Sequence, residues 1–130
     1  MKRVKLLVFK LAIRILGAAC CLLAVVALTA QTKFPIGTFV GTDLPVTFTA
    51  TGKMLVKDRG VVVVEATYAV TGDQIIFTDK QGKLACTEPA TAVGKYRWKY
   101  DGQALRFTKV EDGCEGRVRT LTTLRLSRQK

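Results

Sequence analysis

The run Lys95-Tyr96-Arg97-Trp98-Lys99-Tyr100, then Asp101-Gly102, then Ala104-Leu105-Arg106-Phe107-Thr108-Lys109-Val110, decides the fold. Successive side chains of an extended chain point to opposite faces, so Tyr96, Trp98 and Tyr100 share one face while Lys95, Arg97 and Lys99 share the other. Such a strand covers a core with its aromatic face and meets water with its cationic one. Asp-Gly between two alternating runs is the strongest short-range hairpin signal. Leu105 and Phe107 carry the inward face onto the return strand.

The same grammar extends in both directions. Val46 to Ala50 alternates apolar and polar residues, and Thr51-Gly52 turns the chain into Lys53 to Lys57. Asp58-Arg59-Gly60 leads into the β-branched run Val61 to Val70, which ends at Thr71-Gly72-Asp73. Gln74 to Asp79 follows, with Ile75 and Phe77 on one face. Glu111 to Gly116 reads as a loop, and Val118 to Leu126 as the last strand, with Leu124 and Leu126 on the face of Val118. With the short segment Thr38 to Val40 this makes about eight strands. After residue 30 no stretch shows a 3.6-residue apolar period, so the expected domain is nearly all β. Hairpin after hairpin favours an antiparallel up-and-down barrel over a sandwich. Closure also hides the edge that Val61-Val62-Val63-Val64 would otherwise offer for aggregation.

The chain has 130 residues, 21 Lys plus Arg, 10 Asp plus Glu and no His. Lys2, Arg3, Lys5, Lys10 and Arg14 fall within the first 30 residues, which carry no acid; residues 31–130 therefore hold 16 basic and 10 acidic side chains, a net +6. A basic start followed by the apolar run Ile15 to Leu28 is the pattern of a secretory signal. Small residues allow cleavage after Ala30 or Ala27, and the former is preferred. The rival reading is an uncleaved anchor, but Ile15 to Ala30 is shorter than the roughly 20 residues a spanning helix needs. The expected organisation is a signal peptide at 1–30, a short linker at 31–36 and one barrel domain at 37–130. The expected location is the periplasm or the cell exterior, with membrane anchoring through residues 15–30 as the alternative.

Cys20 and Cys21 lie in the apolar signal. Cys86 and Cys114 remain, an even pair in an exported chain, and a disulfide is the default reading. Closing that loop stabilises a fold by about 3 to 4 kcal/mol in the chain-entropy picture. Two cysteines without a histidine cannot build an ordinary zinc site, so no metal is expected, and no cofactor either.

Gly37-Thr38-Phe39 resembles the Gly-x-Trp opening of lipocalins, with Phe in place of Trp. Glu65 to Asp73, Phe77-Thr78-Asp79 with Gly82 and Ala85-Cys86, Gly94 to Trp98, and Leu105 with Asp112, Cys114, Gly116 and Arg117 together resemble small bacterial lipocalin-like (calycin-type) domains. The resemblance spans roughly residues 37 to 126. It implies an eight-stranded barrel, often with an apolar ligand in its mouth, and does not imply an enzyme. It also implies a barrel-closing contact in which Arg117 stacks on Phe39, with Arg125 as the alternative arginine.

Phe48, Phe77, Tyr96, Trp98, Tyr100 and Phe107 are the candidate lining of a pocket for a small hydrophobic ligand. Aromatic residues also dominate small cores, and packing is the preferred reading of the same six. The outward cations Lys95, Arg97, Lys99 and Arg106 could meet an anionic envelope surface or stay solvated. Nucleic acid is not expected, because a single-strand reader needs its aromatics and cations in one groove. Without His the usual base for a Ser or Cys nucleophile is missing, and the pair Asp112 and Glu115 sits in a loop without a pocket, so no enzyme is expected. The reading is a monomeric carrier of a small apolar molecule. The alternatives are a protein-binding module, such as a hydrolase inhibitor, and a structural envelope barrel with a filled core.

Overall fold

The computed structural model describes residues 32–41, 44–122 and 126–130. Residues 1–30, read from the sequence as a signal peptide, lie outside the described residues, as do Leu124 and Arg125. Eight strands close into an antiparallel barrel in which each strand pairs with its neighbours in the chain. They are β1 (Gly37–Val40), β2 (Val46–Phe48), β3 (Lys53–Asp58), β4 (Val61–Thr71), β5 (Gln74–Gln81), β6 (Val93–Tyr100), β7 (Ala104–Asp112) and β8 (Leu126–Arg128), with a helix α1 (Glu115–Thr122) between β7 and β8. β8 closes the ring on β1 through Phe39↔Arg128 and Val40↔Ser127.

The central hairpin forms as its sequence dictates. Trp98 stands opposite Phe107 and Tyr100 opposite Leu105. At the turn, Asp101 Oδ1 accepts from the N–H groups of Gln103 (2.9 Å) and Ala104 (2.8 Å), and Gly102 takes φ 93°, a conformation that side chains resist.

The meander gives the barrel two ends. The turns at 49–52, 71–73 and 101–103 gather at one, here the base; the turn at 58–60, the connection at 82–92 and the ends of β1 and β7 gather at the other, the mouth. The base half is filled with aromatic rings. Phe39, Phe48, Phe77, Tyr96 and Phe107 are all buried. Phe77 meets Phe107 at 5.7 Å and Tyr96 at 5.8 Å in edge-to-face geometry, the arrangement the ring quadrupoles favour. Each fully buried Phe contributes about 1.5–3 kcal/mol of transfer free energy. Phe34, from the stretch read as a linker, packs against Phe48 and Trp98 at 5.2 and 5.1 Å.

Two expectations are corrected here. Val118 to Leu126 is not one strand: Glu115–Thr122 is helical, and only Leu126–Arg128 pairs as β8. Val118, Thr120 and Thr122 have a β-branched bias towards strand, but tertiary contacts override it. Asp112 Oδ1 accepts the Cys114 N–H at 2.8 Å and bends the chain, and Cys114 O accepts the Val118 N–H at 3.0 Å to start the first turn. Arg117 and Leu121, four residues apart and so on one helical face, are the two buried side chains of α1.

The second correction concerns the barrel-closing arginine. The cation over the Phe39 ring is Arg128, 5.1 Å from its centroid and 5.9 Å from that of Tyr100. Its Nη1 donates to Ile36 O at 3.0 Å and its Nε to Tyr100 Oη at 3.3 Å. Arg117 belongs to the mouth and cannot reach. Gly37 is the partner of this arrangement: at φ 122° a Cβ there would lie 2.9 Å from Arg128 Nη1.

Candidate functional site

Asp79 falls on the inward face of β5 because it continues the alternation of Ile75 and Phe77. A carboxylate there must be paired or lose much of its solvation energy. Its partner is Arg117 of α1, whose side chain is 4 % exposed against 2 % for Asp79 and 0 % for Asp112. The guanidinium grips Asp112 with both prongs, Nε to Oδ2 at 2.7 Å and Nη2 to Oδ1 at 2.6 Å. Nη2 also donates to Thr91 O at 2.8 Å and Nη1 to Ala92 O at 3.2 Å, tying α1 to the 82–92 connection. The Tyr96 hydroxyl donates to Asp112 Oδ2. Gly94 leaves the space that this cluster fills, since a Cβ there would collide with the Asp112 carboxylate.

The charges within the cluster support one another. Burial pushes the Asp112 carboxyl upward, but hydrogen bonds from Arg117, Tyr96 and the Cys114 N–H outweigh it and hold the group below its ordinary value. Burial first, then the bond to Asp112, push the Tyr96 phenol far above its usual range, so it stays a donor. Burial lowers Arg117, but both carboxylates more than compensate.

The disulfide locks the same corner. Cys86 and Cys114 are bonded, with Cα atoms 6.0 Å apart and a sequence separation of 28, as expected from the sequence. The Cys86 N–H donates to Asp79 Oδ2 at 2.8 Å. Asp79, Cys86 and Cys114 bring a carboxylate and two sulfurs within 4.8 Å of one another, but sulfurs bonded to each other are not thiolate ligands.

Above this cluster lies a cleft of about 320 Å³. Its wall is the row Val46, Val56 and Val64, which share a face because Val46 pairs with Val56 and Val56 with Val64. Met54, Leu44, Leu84 and Leu121 complete the apolar lining, Asp79 and Arg117 form part of its surface, and Arg119 and Thr120 lie along it from α1. Its volume sits at the small end of the range for ligand pockets.

The sequence-derived candidates are distributed differently. Phe48, Phe77, Tyr96 and Phe107 close on one another as core and do not line this cleft. Trp98 and Tyr100 are partly buried at the base, beside Phe34, Tyr68 and Lys99, in a more open depression of about 700 Å³. There the indole N–H is held by Gly72 O at 3.0 Å and the Tyr100 hydroxyl donates to Gly102 O at 2.8 Å. Of Asp112 and Glu115, considered as a carboxylate pair, Asp112 is engaged by Arg117 and both border a shallow depression beside α1. On the outer face Arg97 pairs with Asp73 at 3.0 Å and Lys95 with Glu111 at 3.8 Å, while Lys99 and Arg106 stand directly opposite each other.

The aliphatic lining and the buried cluster were missed in the sequence. Asp79 carried a readable signal: a carboxylate in phase with Ile75 and Phe77 calls for a buried cation. Among the described residues no helix is long and apolar enough to cross a membrane. Compared with family models, curated proteins and solved structures, the chain matches none.

Proposed function

We propose that the protein is an exported lipocalin-like binding protein that holds a small apolar ligand in the mouth of its barrel and carries out no reaction on it. The observation that supports this reading is the aliphatic cleft beside a rigid wall. A packed aromatic base, a helix anchored by a bidentate ion pair and a disulfide together hold the cleft's shape without a ligand, so little ordering cost falls on binding. The closed eight-stranded antiparallel barrel is compatible with a calycin-type fold. The disulfide fits an oxidising compartment, which is where the amino-terminal segment would send the chain.

Filling the cleft is the direct test. Val56→Trp projects a large ring into the aliphatic row, and binding of an environment-sensitive apolar dye is then titrated against the wild type. Loss of dye binding with an unchanged fold supports the mouth as the site; unchanged dye affinity contradicts it. A protein-binding role is the second reading. It is favoured by Leu84 at 56 % and Val61 at 64 % exposure, both on connections or strand ends at the mouth.

A further inference from the structure

Among the described residues, one buried side-chain polar atom has no hydrogen-bond partner, and it is Asp79 Oδ1. It stands 2.9 Å from Arg117 Nη1, so it is in ionic contact with the guanidinium, but no N–H is aligned on it. Of the five N–H groups a guanidinium carries, four are engaged: two on Asp112, one on Thr91 O and one on Ala92 O. The fifth is on Nη1, next to Asp79 Oδ1 but out of line with it. The other oxygen of Asp79 is occupied by the Cys86 N–H. The buried group as a whole is one cation against two carboxylates, a net charge of −1, and Tyr96 adds none. An unaligned carboxylate oxygen and an unbalanced negative charge are each costly in an interior. Asp79 belongs to the lining of the cleft.

We infer that the cleft selects an apolar molecule headed by a protonated amine, seated with an N–H on Asp79 Oδ1 and its chain along Val46, Val56 and Val64. This rests on the cleft being a ligand site and adds the chemistry of the head group. An ammonium supplies both missing elements, a donor for the oxygen and a compensating charge. An alcohol supplies only the donor. A carboxylate supplies neither and brings a second negative charge to a group that already carries an excess. Arg119 also lies along the cleft, but it is exposed, so water and salt screen its charge in a way they do not screen Asp79. At about 30 Å³ for each water-sized group, the cleft accommodates a chain of roughly ten groups.

Isothermal titration of octylamine, octanol and octanoate at pH 7 into the disulfide-bonded protein, expressed from the full chain, tests this. The expected order is amine, alcohol, carboxylate, with octylamine bound at least about tenfold more tightly than octanoate, since a charge-assisted hydrogen bond carries that much. Asp79→Asn should erase the advantage of the amine and leave octanol little changed. If that variant does not fold, the wild-type order alone decides. Octanoate binding as well as or better than octylamine overturns the head-group inference while leaving the cleft a ligand site. Failure of all three to bind overturns the cleft as a ligand site, and the inference with it.

Discussion

Arg117 Nε stands 2.8 Å from the point where a Cβ on Gly94 would lie, so β6 carries a glycine where the arginine of α1 crosses it. The Asp112 carboxylate is closer still to that point. The bulge between Lys95 and Tyr96 in the pairing of β6 with β7 lies next to the same place. Gly94→Ala should therefore push the ion pair apart, at a cost of about 1–3 kcal/mol for overpacking alone. For a domain of this size each 1 kcal/mol lowers the melting temperature by about 4–8 °C. Thermal melts of the variant check it, and a melting temperature equal to the wild type would show that the cluster has room to spare.

Acid should loosen the mouth. The Asp112 carboxyl has its folded value depressed below the ordinary one near 3.8, because its hydrogen bonds favour the ionised form more than burial opposes it. A depressed carboxyl contributes stability at all pH values above its unfolded value and loses that contribution as pH falls through the folded one. Glu65, also depressed by its bonds from Gln81 and Lys53, adds a screened contribution of the same sign. Melting temperatures should be nearly level from pH 7 to about 5 and fall below about 4. Asp112→Asn should start lower and lose less on acidification; an equal loss in both proteins would place the acid sensitivity elsewhere.

Cys114→Ser removes the bond that ties the start of α1 to the 82–92 connection. The expected loss is about 2–5 kcal/mol. Urea unfolding of the variant and of the wild type measures it directly. The wild type should show no reactive thiol from Cys86 or Cys114 under denaturing conditions without reductant; two free thiols there and an unchanged midpoint would contradict the cross-link.

The hairpin from Lys95 to Val110 was legible because strand alternation and the Asp-Gly turn are local properties. Closure was legible too, since tight turns leave adjacent strands no other partners. The helix at Glu115–Thr122 was not, because β-branched Val118 and Thr120 favour strand locally, while the burial of Arg117 against Asp79 and Asp112 depends on residues 5 to 38 positions away. The same distance hid the arginine over Phe39. Its choice between Arg117 and Arg128 depends on which end of the barrel each reaches, and that follows only once the register Phe39↔Arg128 is known. The aromatic stripe was read correctly as an inward face. Whether an inward face lines a pocket or fills a core depends on the whole ring of strands, and here Phe48, Phe77, Tyr96 and Phe107 fill it.

The central claim is that the mouth of the barrel holds a small apolar molecule. Native mass spectrometry of the protein, expressed from the full chain with residues 1–30 included and compared with the denatured protein, tests it most directly. The expected result is a mass excess that disappears on denaturation, belongs to a molecule of roughly ten heavy groups, and is absent from Val56→Trp. A wild-type protein that carries no such excess, and acquires none when incubated with octylamine, octanol or octanoate, would contradict the account.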